Sequence, residues 1–378
     1  MREGFYFGAG PAALPTEVVK QAAKEFVEYE NQGVGLGEIS HRSKQATQII
    51  DDAKSKVIEI LKVPETHEVL FIPGGGTGGF AAVIYNLMAA FAAKTGKKGK
   101  ADYLVTGTWS AKGAAEAKRL GVETNIVFDG KKDGKYRHIS DQSEWKFSDP
   151  AETAFVYFCD NETVDGIEFP QLPQVPEGTN LVMDMSSNMF SRAVDVSKLA
   201  VLFGGAQKNV GIAGVSLYVV RKDLLKQASP AELTQLGVLI GPSVFDFTLI
   251  AKNNSAYNTV SIFAVQVINL VLGDLLAKGG LDAQEKESNA KAEKIYALLD
   301  ARPELYLTTV AKAARSRMNI VFKFKDADTE ERFLKGAAEL HLTGLKGHRS
   351  VGGIRVSNYN AITPEAIDRL AEYMSKFN

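Results

Sequence analysis

Between residues 68 and 220 the chain alternates short apolar runs with stretches of helical period, and this alternation restricts the fold more than any other feature. The runs are EVLFI (68–72), ADYLVT (101–106), TNIVF (124–128), AFVYFC (154–159), NLVMD (180–184), AVLF (200–203) and VSLYVV (215–220). A strand that faces water on one side alternates apolar and polar residues, and these do not, so both faces must be covered. Helices between several of them supply the cover. The expectation is an α/β fold whose mainly parallel, seven-stranded sheet is flanked by helices. Thr16 is placed as the cap of a helix over about 17–31, with Val18, Ala22, Phe26 and Tyr29 on one stripe, and further helices are expected over 43–61 and 79–93.

From residue 261 the texture changes. Two long helices (about 261–278 and 281–300) precede a strand at 318–324, a helix at 330–341, a strand at 354–357 and a last helix at 364–376. This predicts a large domain over 16–260 followed by a smaller α+β domain from 261–378.

Composition excludes several classes of function. Lys plus Arg total 44 and Asp plus Glu 45, so no global field draws the chain to nucleic acid or to an anionic membrane. Cys159 is the single cysteine, which rules out an intrachain disulfide and a cysteine-rich zinc site. MREGFYFGAGPAALP has no apolar core of a signal peptide, and the longest apolar stretch, AAVIYNLMAAFAA (81–93), is too short to span a bilayer. The expected location is cytoplasmic. G-x-S-x-G, H-E-x-x-H, C-x-x-C and the phosphate-binding G-x-x-x-x-G-K-[ST] are all absent.

What remains is a set of four parts, each at the end of one of the apolar runs or just after it. GGGTGG (74–79) matches G-x-G-x-x-G on letters, but no acid ends the next strand, so the dinucleotide fingerprint is incomplete. A glycine turn leading to a helix N-terminus survives, suited to one phosphate. Trp109 follows the second run and offers a flat face, while Asp184 ends the fifth run at the carboxyl edge of the sheet. Lys208, inside LFGGAQKNVG (202–211), follows the sixth run and lies on the same edge, where an unpaired buried charge costs several kcal/mol. Taken singly, the parts have plainer readings: a ligand-free turn, a core tryptophan, a structural Asp–Lys ion pair, or a nucleotide-binding protein without catalysis. Together they are what pyridoxal phosphate requires: a lysine for the Schiff base, an acid for the ring nitrogen, a stacking face and a phosphate seat. Their order along the chain suits the large domain of a fold-type-I aminotransferase. Two His-Arg pairs, in SHR (40–42) and GHRSVGGIR (347–355), add donors suited to a doubly anionic group.

The chain resembles the phosphoserine aminotransferase family of the class V aminotransferases. The resemblance runs nearly end to end through FGAGPAALP, SHR, GGGTGG, GTWSAKGAAEAK, NETVDGIEF, DMSSN, GAQKNVGIAGV, YNT and KGHRSVGGIR. It implies pyridoxal 5'-phosphate as cofactor, with Lys208 as its covalent anchor, Asp184 at the pyridine nitrogen, Trp109 stacked on the ring and Thr163 hydrogen-bonded to it. It implies Gly76, Thr77 and Gln207 at the cofactor phosphate, joined by Asn258 and Thr259 from the partner of a homodimer whose active sites lie at the interface. Arg355 would take the substrate α-carboxylate, and His41, Arg42, His348 and Arg349 the substrate phosphate. The implied substrates are glutamate and 3-phosphohydroxypyruvate, giving phosphoserine and 2-oxoglutarate in serine biosynthesis, and residues 1–15 would join the small domain. Ala9, Thr77 and Val260 depart from the Ser, Arg and Pro found in some relatives. A cysteine desulfurase is disfavoured because Cys159 ends a core strand and cannot serve as a mobile nucleophile.

Overall fold

Every apolar run became a strand, and all seven lie in one sheet. The computed structural model describes residues 4–378, so the start of the expected 1–15 segment lies outside the described residues. In chain order the strands are β1 (His67–Ile72), β2 (Lys100–Val105), β3 (Thr124–Asp129), β4 (Thr153–Cys159), β5 (Leu181–Asp184), β6 (Val201–Gly205) and β7 (Ser216–Arg221). Their order across the sheet is β1-β7-β6-β5-β4-β2-β3. Neighbours from β6 to β3 run parallel, and β7 is antiparallel to both β6 and β1. In register, Asp184 sits between Phe203 of β6 and Cys159 of β4, so three strand ends that carry polar residues share one edge.

Helices cover both faces. Lys44–Leu61 and Ile262–Ala277 close one core around Phe71, Phe158, Met183 and Leu217, while Gly75–Thr95 and Thr108–Arg119 close the other around Tyr103, Phe155, Phe203 and Tyr218. Each of these aromatic side chains is essentially sealed from water, worth roughly 1.5–3 kcal/mol apiece. Gly75–Thr95 is long and apolar enough by composition to cross a membrane, yet 72% of its most apolar window is buried inside the fold. Its apolarity serves the sheet.

Three local expectations change. The helix placed at 79–93 starts at Gly75, so the glycine cluster forms its first turns instead of a preceding loop. Glycine is a poor helix former, but a Cβ at Gly79 would lie 2.4 Å from the Phe203 ring, so close approach to β6 outweighs propensity. Thr16 is the first helical residue and not the cap: Pro15 holds that position, without a capping bond, and the helix ends at Val27. Helix Ile262–Ala277, expected to open the small domain, instead packs on Lys44–Leu61 as part of the sheet's core.

A separate core gathers Phe7 with Ala292, Ile320, Phe322, Phe333, Val356 and Met374. It is built on strands Asn319–Phe322 and Ile354–Ser357, which pair antiparallel, and on helices Gly280–Ala301, Ala327–Glu339 and Pro364–Lys376. Phe5–Tyr6 pairs with Leu342–Thr343, which ties the N-terminal segment to this unit. Helix Gly280–Ala301 carries Ala292, Ile295 and Leu299 into this second core.

Candidate active site

The polar strand ends open onto a cavity of ≈ 300 Å³. Its wall includes Gly76, Thr77, Trp109, Thr163, Asp184, Gln207, Lys208, His348 and Arg355, so residues from both units meet there. Gly76 and Thr77 come from the first turn of Gly75–Thr95, whose N-cap Gly74 has φ 115°, a left-handed conformation that favours glycine. A Cβ at Gly76 would stand 3.6 Å from Ser186 Oγ, narrowing the cavity at the end where free helix amides point.

Lys208 is only 8% exposed, so its charge has to be accounted for. The simplest account, a structural ion pair with Asp184, is not what forms. The ammonium donates to Thr163 Oγ1 at 2.6 Å. Asp184 is engaged elsewhere: Ser186 donates to Oδ1 from both its amide (2.9 Å) and its hydroxyl (2.6 Å), and Tyr157 Oη donates to Oδ2 at 3.0 Å. The lysine and the aspartate therefore face one cavity without closing on each other. Burial lowers the Lys208 ammonium to about 8, opposed chiefly by the charge of Asp184. Burial likewise lifts the Asp184 carboxyl above its ordinary value, against the bonds from Ser186. Trp109 completes this side, with the Lys208 ammonium 5.7 Å from its ring centroid and the Lys112 ammonium 4.3 Å from it.

The opposite wall is cationic. Arg355 lies on Ile354–Ser357, opposite Val321, and its Nη1 donates to the Thr163 carbonyl at 3.3 Å. His348 has its imidazole lowered by burial and by the charges of Arg355, Lys112 and Arg349. That convergence of positive charge marks a place where an anion is favoured. Two buried donors in this region, Trp109 Nε1 and Arg355 Nε, have no partner among the described residues.

Five expected residues do not line this cavity: His41, Arg42, Asn258, Thr259 and Arg349. Arg42 and Arg349 are exposed, and Arg42 Nη2 reaches the Tyr257 carbonyl at 3.4 Å, so the SHR and YNT segments adjoin. His41 Nε2 and Asn258 Oδ1 are buried without partners among the described residues. The structure also adds residues that the sequence did not single out: Tyr157 and Ser186 on Asp184, and Glu162, described below. Their signal was available in part. The polar run Asp160–Thr163 directly follows a fully buried strand, at the edge where ligands bind.

This strand order, with a lysine and an aspartate facing one cavity at its strand ends, defines the class: an α/β transferase of the pyridoxal-phosphate-dependent type. A model of the family Aminotransferase class-V matches residues 4–370. Phosphoserine aminotransferase of Saccharomyces cerevisiae is 47% identical over 381 residues, covering 98% of this chain and 96% of the relative. That of Paraburkholderia phymatum is 41% identical, with 99% and 98% covered. Among solved structures, PLP-bound phosphoserine aminotransferase from Trichomonas vaginalis superposes with a TM-score of 0.89 at 37% identity, covering 99% of this chain and 100% of that one. The chain thus belongs to the class V aminotransferases and, within them, to the phosphoserine aminotransferase family.

Proposed function

We propose that this chain transfers an amino group from glutamate to 3-phosphohydroxypyruvate, giving phosphoserine and 2-oxoglutarate, with pyridoxal phosphate as cofactor. The observation that carries this reading is that Lys208 and Asp184 address the same cavity while bonded to other partners. The residues fit the cofactor. Asp184 would face its ring nitrogen, Trp109 and Thr163 its ring and ring oxygen, and the helix start at Gly76–Thr77, with Gln207, its phosphate. When bound, the cofactor supplies an aldehyde and a ring that accepts electrons from the substrate Cα.

The chain's own residues do the rest. Lys208, whose ammonium is already lowered to about 8, reaches the neutral amine far more readily than an ordinary lysine and takes and returns the Cα proton. Thr163 orients that amine. Asp184 keeps a proton on the ring nitrogen. Arg355 takes the α-carboxylate by its fork of donors. Its replacement by lysine is expected to raise KM for glutamate about 10–100-fold, with a smaller fall in kcat, in steady-state kinetics. A kcat lost at unchanged KM would remove Arg355 from this role.

His348, on the cavity wall, and Arg349, next to it in the chain but off that wall, would meet the substrate phosphate. His41, Arg42, Asn258 and Thr259 lie off the cavity, and we assign them to the site of a partner subunit in a homodimer. The exposure of Arg42 and Thr259 on this chain supports this assignment. Comparing 3-phosphohydroxypyruvate with hydroxypyruvate as amino acceptor tests the function. The phosphorylated acceptor is expected to win by about 100-fold or more in kcat/KM, as two charge-assisted bonds would give. Equal rates would overturn the phosphate site.

A further inference from the structure

We propose that Glu162 is a positioning residue that fixes the Trp109 face of the cavity. The inference rests on the reading of Trp109 as the cofactor's stacking surface. Trp109 stands in the first turn of helix Thr108–Arg119, whose N-cap is Gly107 and therefore brings no side chain of its own. The cap comes from another part of the chain. Glu162, on strand Asn161–Glu162 of the hairpin that follows β4, is 0% exposed. Its Oε2 accepts from the Trp109 amide at 2.8 Å, and its Oε1 accepts from the Ser110 amide at 2.8 Å and the Ser110 hydroxyl at 2.6 Å. Asp165 of the same hairpin accepts from the Thr108 amide at 2.7 Å. Three consecutive amides at the start of the helix thus end on two carboxyl groups, and these bonds and the helix dipole oppose the burial that lifts the Glu162 carboxyl to about 7. The fit leaves no slack, since a Cβ at Gly107 would stand 2.4 Å from the Glu162 carboxyl carbon.

The same hairpin sets the other walls. Residue 163 supplies the hydroxyl that holds Lys208 and the carbonyl that holds Arg355. At the hairpin's far strand, Glu168 accepts from Arg317 Nη2 at 2.7 Å, just ahead of the strand that pairs with Arg355's. Glu162 is thus the link by which a segment already oriented toward Lys208 and Arg355 also orients Trp109. A carboxylate buried to terminate a helix alone could sit on any helix of the fold. This one sits on the helix whose second residue walls the cavity.

The test reads the tryptophan directly. The chain has two tryptophans, and Trp145 is buried in the sheet's other core, so a Trp145→Phe background leaves Trp109 as the only indole emitter. In that background Glu162→Ala is expected to shift Trp109 emission to the red and lower its anisotropy in the cofactor-free protein. It is also expected to weaken pyridoxal phosphate binding about 10-fold. Glu162→Gln keeps one acceptor oxygen and should give intermediate values, and it carries the test if Glu162→Ala does not fold. Ser110→Ala is the control: it removes a capping hydroxyl but leaves the Glu162–Trp109 bond, so it should lower the melting temperature without moving Trp109 emission. The proposal is overturned if the Glu162 variants melt earlier while emission and anisotropy stay at the Trp145→Phe values, as for a plain helix cap. Moved emission with unchanged cofactor affinity would uphold Glu162 as the residue that positions Trp109 and count against the stacking role of that ring.

Discussion

Replacing Lys208 by alanine lowers kcat for amino transfer by about 10⁴-fold or more, the upper range for removing a positioned general base. Three of its cavity neighbours cannot replace it. Thr163, its hydrogen-bond partner, has no basic nitrogen, Arg355 stays protonated, and Cys159 is buried with its thiol pushed well above the ordinary range. Small primary amines added to the variant should restore part of the rate, because the cavity then has room for them beside Asp184. A variant with near wild-type turnover would remove Lys208 from the reaction. Stability moves the other way. The folded-state ammonium is lowered to about 8 from 10.5 by burial, so folding carries a penalty that is full below pH 8. The penalty is relieved as pH rises from about 8 toward the ordinary lysine value. Lys208→Met, which keeps the volume, should therefore melt higher than the cofactor-free parent at pH 7, by roughly 3 kcal/mol of stability, and the gap should close toward pH 10. A group that lowers stability yet is indispensable to turnover is what a working base in a buried site entails.

The periodic part of the fold was legible before any coordinates. Runs with no polar alternation announced a sheet buried on both faces, and Asp184, Trp109 and Lys208 could be placed on one edge because each follows a strand. Sequence pattern could not say which neighbours each would choose. Asp184 and Lys208 read equally well as an ion pair, and only the positions of Ser186, Tyr157 and Thr163 show that each is held apart from the other. Glu162 was hidden for the same reason, since its partners lie on a helix more than fifty residues earlier in the chain. Helix Gly75–Thr95 was misjudged because glycine propensity argues for a turn, whereas the contact of Gly79 with Phe203 is tertiary. The placement of helix Ile262–Ala277 was hidden in a similar way. Ile262–Ala277 has an apolar period that suits any core, and packing on Lys44–Leu61 decided which one. Asn258 and Thr259 entered through family likeness, and His41, Arg42 and Arg349 through their His-Arg pairs, yet none of the five lines the cavity of a single chain.

Asp184→Asn is expected to reduce kcat by about 10²–10³-fold, the loss that follows removal of one charge from a buried, hydrogen-bonded pair of groups. The substitution is nearly silent for packing. An asparagine oxygen in the place of Oδ1 still accepts from the Ser186 amide and hydroxyl, and the Tyr157 hydroxyl can turn to accept from the new amide nitrogen. What disappears is the negative charge, and two readouts follow it. Turnover falls because the ring nitrogen of the cofactor no longer has an anion to hold its proton. Independently of the cofactor, Lys208 loses the largest influence that raises its ammonium, so its titration in the cofactor-free variant must move below about 8. Competitive amine labelling of Lys208 across pH, read by peptide mass, measures that midpoint. A lower midpoint together with slow turnover shows the carboxylate acting on both the lysine and the ring. An unmoved midpoint would mean that Asp184 is screened from Lys208, and the shared-cavity geometry on which the proposed function rests would fail with it.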